Sequence, residues 1–106
     1  MYQNITMVRG DTLAFGIKFI DLDQDLDSAY LSCKKNLEDE EYIFQKSIGD
    51  GITRTEEGYR FRVAPADTAS AETGNYFYDV VISVNDDVYT ILNGMLSLIP
   101  DVTEEV

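Results

Sequence analysis

Hydrophobic side chains recur at every second position along most of the chain. Between Thr12 and Ile20, Leu13, Phe15, Ile17 and Phe19 take one phase, and Thr12, Ala14, Gly16 and Lys18 take the other. Extended backbone points successive side chains to opposite faces, so this spacing predicts a strand with one face in a core. Tyr59, Phe61 and Val63 alternate with Arg60 and Arg62 in the same way. Tyr76, Tyr78, Val80, Ile82 and Val84 alternate with Phe77, Asp79, Val81 and Ser83. Shorter runs predict strands over Ile5 to Val8, Ala29 to Lys35 and Tyr42 to Ser47. The long run from Val88 to Ile99 sets Leu92, Leu96 and Leu98 in one phase and Tyr89 and Ile91 in the other. Either Asn93-Gly94 is a bulge that switches the face, or this strand is buried on both sides.

Turn residues punctuate the runs. Gly10-Asp11 separates the first two strands, and Asn85-Asp86-Asp87 closes a tight hairpin between the two strongest. Gly49-Asp50-Gly51 and Glu56-Glu57-Gly58 flank a stretch read as irregular. Pro65 ends the strand over Tyr59 to Ala64, Asp67 offers an N-cap for a helical turn through Ala71, and Gly74 stops that turn. About seven strands with frequent turns and one short helical turn predict an all-β, antiparallel two-sheet sandwich. Asp67 followed by Gly74-Asn75-Tyr76 resembles the corner of immunoglobulin-like sandwiches, where a Tyr hydroxyl bonds back to the preceding loop. Tyr76 is the candidate. Gly10, Asp11, Asp67, Gly74, Tyr76 and Gly94 are thus expected to be structural. Residues 1–100 are read as one domain and 101–106 as an acidic, frayed tail.

The charge balance changes the list of partners. Twenty acidic residues oppose eight basic ones, for a net charge of −12. Phosphate backbones and anionic lipid surfaces repel such a chain, so nucleic acid and membrane are not expected partners. Solubility is the simplest reading of the acidity, and a docking face for a basic partner the sharper one.

The candidate chemistry is thin. No His is present, which removes the commonest general base and transition-metal ligand. Cys33 is the single cysteine and sits in a predicted strand, so an inert buried thiol is expected. Asp21, Asp23, Asp25 and Asp27 alternate with Leu22, Gln24 and Leu26. A helix-loop-helix calcium loop starting at Asp21 needs Gly at its sixth position and Glu at its twelfth, but Leu26 and Ser32 stand there. An acidic loop between strands is the favoured reading, and a calcium site built from these alternating carboxylates is the alternative. Arg9-Gly10-Asp11 matches an adhesion tripeptide but reads as turn chemistry, and Glu38-Asp39-Glu40-Glu41 reads as a solvated hairpin tip. No catalytic residue, cofactor or metal site is expected. Phe77, on the outward phase of its strand, marks a possible partner surface.

Several segments together resemble a known family. These are Thr6-Met7-Val8-Arg9-Gly10-Asp11-Thr12, Ala64-Pro65-Ala66-Asp67-Thr68, Gly74-Asn75-Tyr76-Phe77-Tyr78-Asp79-Val80, Thr90-Ile91-Leu92-Asn93-Gly94 and Asp101-Val102-Thr103. They resemble small phage and prophage tail proteins similar to the N-terminal domain of the baseplate upper protein. The resemblance implies an immunoglobulin-like β-sandwich without catalysis. It also implies a place in the virion, assembled in the bacterial cytoplasm, with other tail or baseplate proteins as partners in an oligomeric structure. The competing expectation is a stand-alone β-sandwich module that binds carbohydrate or protein. That alternative predicts a concave aromatic patch centred on Phe77 or an exposed Tyr.

Overall fold

A computed structural model describes residues 1–19 and 24–103. Within them the chain is all-β apart from one helical turn. The strands are β1 (Ile5–Val8), β2 (Leu13–Lys18), β3 (Ser28–Lys34), β4 (Phe44–Ile48), β5 (Gly51–Arg54), β6 (Gly58–Val63), β7 (Gly74–Val84) and β8 (Asp87–Ile99). The helical turn α1 (Pro65–Thr68) lies between β6 and β7.

The strands form one hydrogen-bonded series, β1-β8-β7-β3-β4-β5-β6-β2, in place of the two separate antiparallel sheets expected. Two of its pairs are parallel, β1 with β8 and β4 with β5. The difference comes from β5, which occupies the stretch read as irregular. Gly49 and Gly51 adopt φ of +90° and +92°, which let the chain cross over and run parallel to β4 for two paired positions. That crossover joins β8-β7-β3-β4 to β5-β6-β2, so the layers close into a nearly complete mixed barrel. β1 and β2 remain at its open edges.

The core follows the period-two phases. Ala29, Leu31 and Cys33 of β3, Tyr59, Phe61 and Val63 of β6, and Tyr76, Tyr78, Val80 and Ile82 of β7 all turn inward. Ile52 is the single buried side chain of β5. Phe15 stacks on Phe61 with ring centroids 5.2 Å apart. Asn85 and Asp86 both have positive φ, which makes the β7–β8 hairpin a two-residue turn whose twist matches that of its strands.

Two sequence expectations for β8 are corrected. The register slips between Val80 and Val81, where Val80 faces Leu92 and Val81 faces Thr90, so the bulged residue is Ile91 rather than Asn93-Gly94. Gly94 instead makes room for the N-terminal segment. A Cβ there would lie 2.1 Å from the Gln3 carbonyl oxygen. Gln3 N–H donates to the Asn93 carbonyl at 2.8 Å, which holds the segment along β8 ahead of β1.

Candidate functional site

Most residues expected to be structural gather at the end of the barrel capped by α1. Asp67 is the third residue of that helix rather than its N-cap, a position Ala64 takes. A carboxylate three residues into a helix reaches back to the first free backbone amides, and the Ala64 N–H donates to Asp67 Oδ2 at 2.7 Å. Lys46 Nζ closes the group with an ion pair to Asp67 at 2.8 Å, both side chains largely buried. Gly10, with φ of +84°, turns the chain so that its N–H donates to the buried Thr68 Oγ1 at 2.9 Å. Asp11 N–H donates to the Val8 carbonyl within the same turn. Arg9 donates to the Ala71 carbonyl and pairs with Asp101 at 3.0 Å, which anchors the first residue of the expected tail. The Arg9 guanidinium holds the Asp101 carboxyl below the ordinary carboxylate range. Gly74 starts β7 opposite Leu98, and the Tyr76 hydroxyl donates to the Glu72 carbonyl at 2.6 Å. These residues fasten loops together.

Phe77 lies elsewhere, on the outward face of the sheet formed by β4, β3, β7 and β8. The strand register builds this face. Along β7, Phe77, Asp79 and Val81 point out in succession. Lys34 and Met95 flank Phe77, Ser32 and Asn93 flank Asp79, and Tyr30 and Thr90 flank Val81. Gln45 extends the Asp79 row beyond Ser32, and Tyr2, bridged to Asn93, extends it on the other side. The face is concave, with a volume of about 730 Å³, and Leu37 and Tyr42 close its rim. Tyr2, Tyr30, Tyr42 and Phe77 are all exposed there, Phe77 at 40%. These exposed aromatic rings make the face a candidate interaction site.

The polar groups of the face are few. Lys34 Nζ lies 5.0 Å above the Tyr42 ring, a cation–π contact. Gln45 donates to Ser32 Oγ at 3.0 Å. The Asp79 carboxylate has no hydrogen bond or ion pair among the described residues. Burial raises its pKa above the ordinary value, and the charge of Lys34 offsets only part of that rise. The acidic run Glu38 to Glu41 lies between the rim residues Leu37 and Tyr42, where Asn36 N–H donates to Asp39 Oδ2 at 3.0 Å and orders the turn.

Among these residues the sequence singled out Phe77 alone. The outward phase of Asp79 is just as legible, but the convergence of Tyr2, Tyr30, Tyr42 and Met95 depends on strand order and register. Asp21 and Asp23 of the acidic loop lie outside the described residues, and the described residues contain no cluster of metal-ligating side chains. Cys33 is buried, and burial pushes its thiol up to about 12.

A second concavity of about 760 Å³ opens between the edges β1 and β2, lined by Ile5, Leu13, Phe15, Ile17, Ile91 and Leu92 among others. Its apolar residues pack against the core and form the mouth of the barrel. Its charged lining side chain, Lys18, is exposed and paired with Glu57 at 3.1 Å.

No family description matches the chain, and no curated protein matches it. Solved structures do. The extracellular domain of mouse leukocyte-associated immunoglobulin-like receptor 1, described as a strand-swapped dimer, shares 13% identity over 97% of this chain and 86% of its own, with a TM-score of 0.53. The immunoglobulin-like domain of the same receptor shares 15% identity over 92% and 88%, also at 0.53. The extracellular domain of the voltage-gated sodium channel β4 subunit, described as a parallel homodimer, shares 14% identity over 95% and 93%, at 0.51. At these identities the likeness is one of fold.

Proposed function

We propose that this chain is a non-catalytic assembly domain of a phage or prophage tail or baseplate, built as an immunoglobulin-like sandwich whose two layers are joined at β4–β5. It acts through protein–protein contacts on the outer face of β3, β4, β7 and β8. One observation carries the reading: four exposed aromatic rings, from Tyr2, Tyr30, Tyr42 and Phe77, converge on one concave face of an otherwise acidic protein. Aromatic anchors in a desolvated centre with a polar rim are the usual make-up of a protein interface. The tail assignment draws its support from the resemblance of the Thr6 to Thr12, Ala64 to Thr68 and Gly74 to Val80 segments to baseplate upper proteins. The structural neighbours described as dimers lend self-association some support by analogy of fold.

The test is co-expression with the products of the neighbouring genes, which the proposal expects to be tail proteins, followed by co-purification and sedimentation. The expected result is a defined complex or oligomer that Phe77→Glu abolishes while the variant stays folded. A monodisperse monomer with no affinity for any tail protein contradicts the proposal. A second reading, a stand-alone carbohydrate-binding module, is favoured by the same concave aromatic patch, since sugars stack on such rings. Binding of a glycan on an array, lost in Phe77→Ala, would select it.

A further inference from the structure

We propose that the outer face of β7 and its neighbours is a receptor for a cationic side chain, arginine or lysine, of the partner protein, with Asp79 as its counter-ion and Phe77, Tyr30 and Tyr2 as its aromatic surround. This assignment rests on the reading of that face as the assembly surface and gives the partner a chemistry.

Asp79 is the midpoint of the face: the row Gln45, Ser32, Asp79, Asn93, Tyr2 crosses it strand by strand, and Phe77 and Val81 precede and follow it along β7. The Asp79 carboxylate is half-buried among exposed rings, makes no ion pair or hydrogen bond among the described residues, and has only the nearby charge of Lys34 to offset part of its lost hydration. Lys34 faces the site from β3 but is held over Tyr42, and no ion pair forms between Lys34 and Asp79. Ser32 is engaged by Gln45. The remaining titratable groups lining the concavity are the hydroxyls of Tyr2, Tyr30, Tyr42 and Tyr78.

Such a site is unfavourable empty and favourable with a cation in it. Ring faces attract cations through their quadrupoles, and guanidinium stacks well on them. A charge-assisted bond to a carboxylate is about twice as strong as a neutral one. The partner's charge follows from the surroundings too. Glu38 to Glu41 lie in sequence between the lining residues Leu37 and Tyr42 and the whole chain carries −12, so an acidic partner is repelled and a basic one steered in. A neutral occupant such as a sugar leaves the carboxylate without a counter-ion, whereas a cation supplies one.

The probe is tetra-arginine peptide, titrated into the protein and followed by amide NMR shifts, with tetra-citrulline as its neutral isostere. The expected result is a shift centred on Ser32, Phe77, Asp79 and Asn93 with arginine and none with citrulline. Asp79→Asn should weaken it about tenfold or more, the worth of a hydrogen bond to a charged group. Asp79→Asn keeps the side-chain shape, and its fold is checked by the unchanged amide spectrum of the inward-facing core. Shifts spread over Glu38 to Glu41 and unchanged by Asp79→Asn would overturn the assignment. So would a neutral oligosaccharide that shifts the same amides equally in both proteins. The two readings separate in the tail complex: if Phe77→Glu dissolves it but Asp79→Asn does not, the assembly face stands and the cation receptor falls.

Discussion

Tyr76 and Asp67 illustrate how much one side chain fixes at the α1 end of the barrel. The Tyr76 hydroxyl ties the Glu72 carbonyl to the start of β7 while its ring sits in the core under Lys35 Nζ, 4.8 Å from the ring centroid. Tyr76→Phe keeps the ring and removes the bond, so chemical denaturation should show a loss of about 1 kcal/mol. Asp67 both accepts from the Ala64 amide and neutralises Lys46. Asp67→Ala leaves a largely buried ammonium unpaired, and a loss of about 3 kcal/mol is expected in the same assay. Cys33, buried and with its thiol pushed up to about 12, should resist thiol reagents in the native protein and react only on unfolding. Rapid labelling under native conditions would contradict its placement. The Arg9–Asp101 pair has a direction in pH. A carboxyl whose folded pKa is depressed contributes stability above its unfolded value and loses it as pH falls. The end of β8 should therefore loosen below the ordinary carboxylate range, seen as faster exchange of the Arg9 amide, which donates to Ile99. Asp79 runs the other way. Its raised pKa means that its charge costs stability as pH rises through that value, so Asp79→Asn should melt no lower than the parent at neutral pH, and higher if the desolvation is strong.

The strands differ in how plainly the sequence displays them. β2, β6 and β7 alternate over six or more residues and can be read directly. β5 spans four residues with one inward side chain, Ile52, between a crossover of left-handed glycines and the Glu56-Glu57 turn, too short for a period of two to register. Missing it also hid the parallel link to β4, and with it the closure of the barrel. In β8 the phase switch was visible but its place was not. Ile91 bulges, and Gly94 answers to Gln3, a residue 91 positions earlier, a constraint that local pattern does not contain. Gly94→Ala should push the N-terminal segment off β8, freeing the Gln3 and Asn93 amides to exchange and costing about 1–3 kcal/mol. Unchanged exchange there would show that the segment is held by something other than this close approach.

At the scale of the molecule, the residues that carry the resemblance to baseplate proteins and the residues that form the candidate site are mostly different. Arg9, Gly10, Asp67 and Tyr76 clasp one end of the barrel and maintain the fold. The outer face is assembled from side chains scattered between Tyr2 and Met95 that share nothing in sequence except an outward phase, which is why only Phe77 could be singled out beforehand. The acidity gains a second meaning from this arrangement. Under the proposed assignment, the net charge of −12 steers cationic groups toward the half-buried Asp79 carboxylate. Hydroxyl-radical footprinting of the free chain and of the complex or oligomer it forms tests the assignment of the assembly face most directly, because exposed rings report their own coverage. The account predicts that Tyr30, Tyr42 and Phe77 become protected in the complex while Tyr89, exposed near the β7–β8 turn, reacts as before. Protection of Leu13, Phe15 and Ile17 at the mouth of the barrel, with Phe77 unchanged, would contradict it.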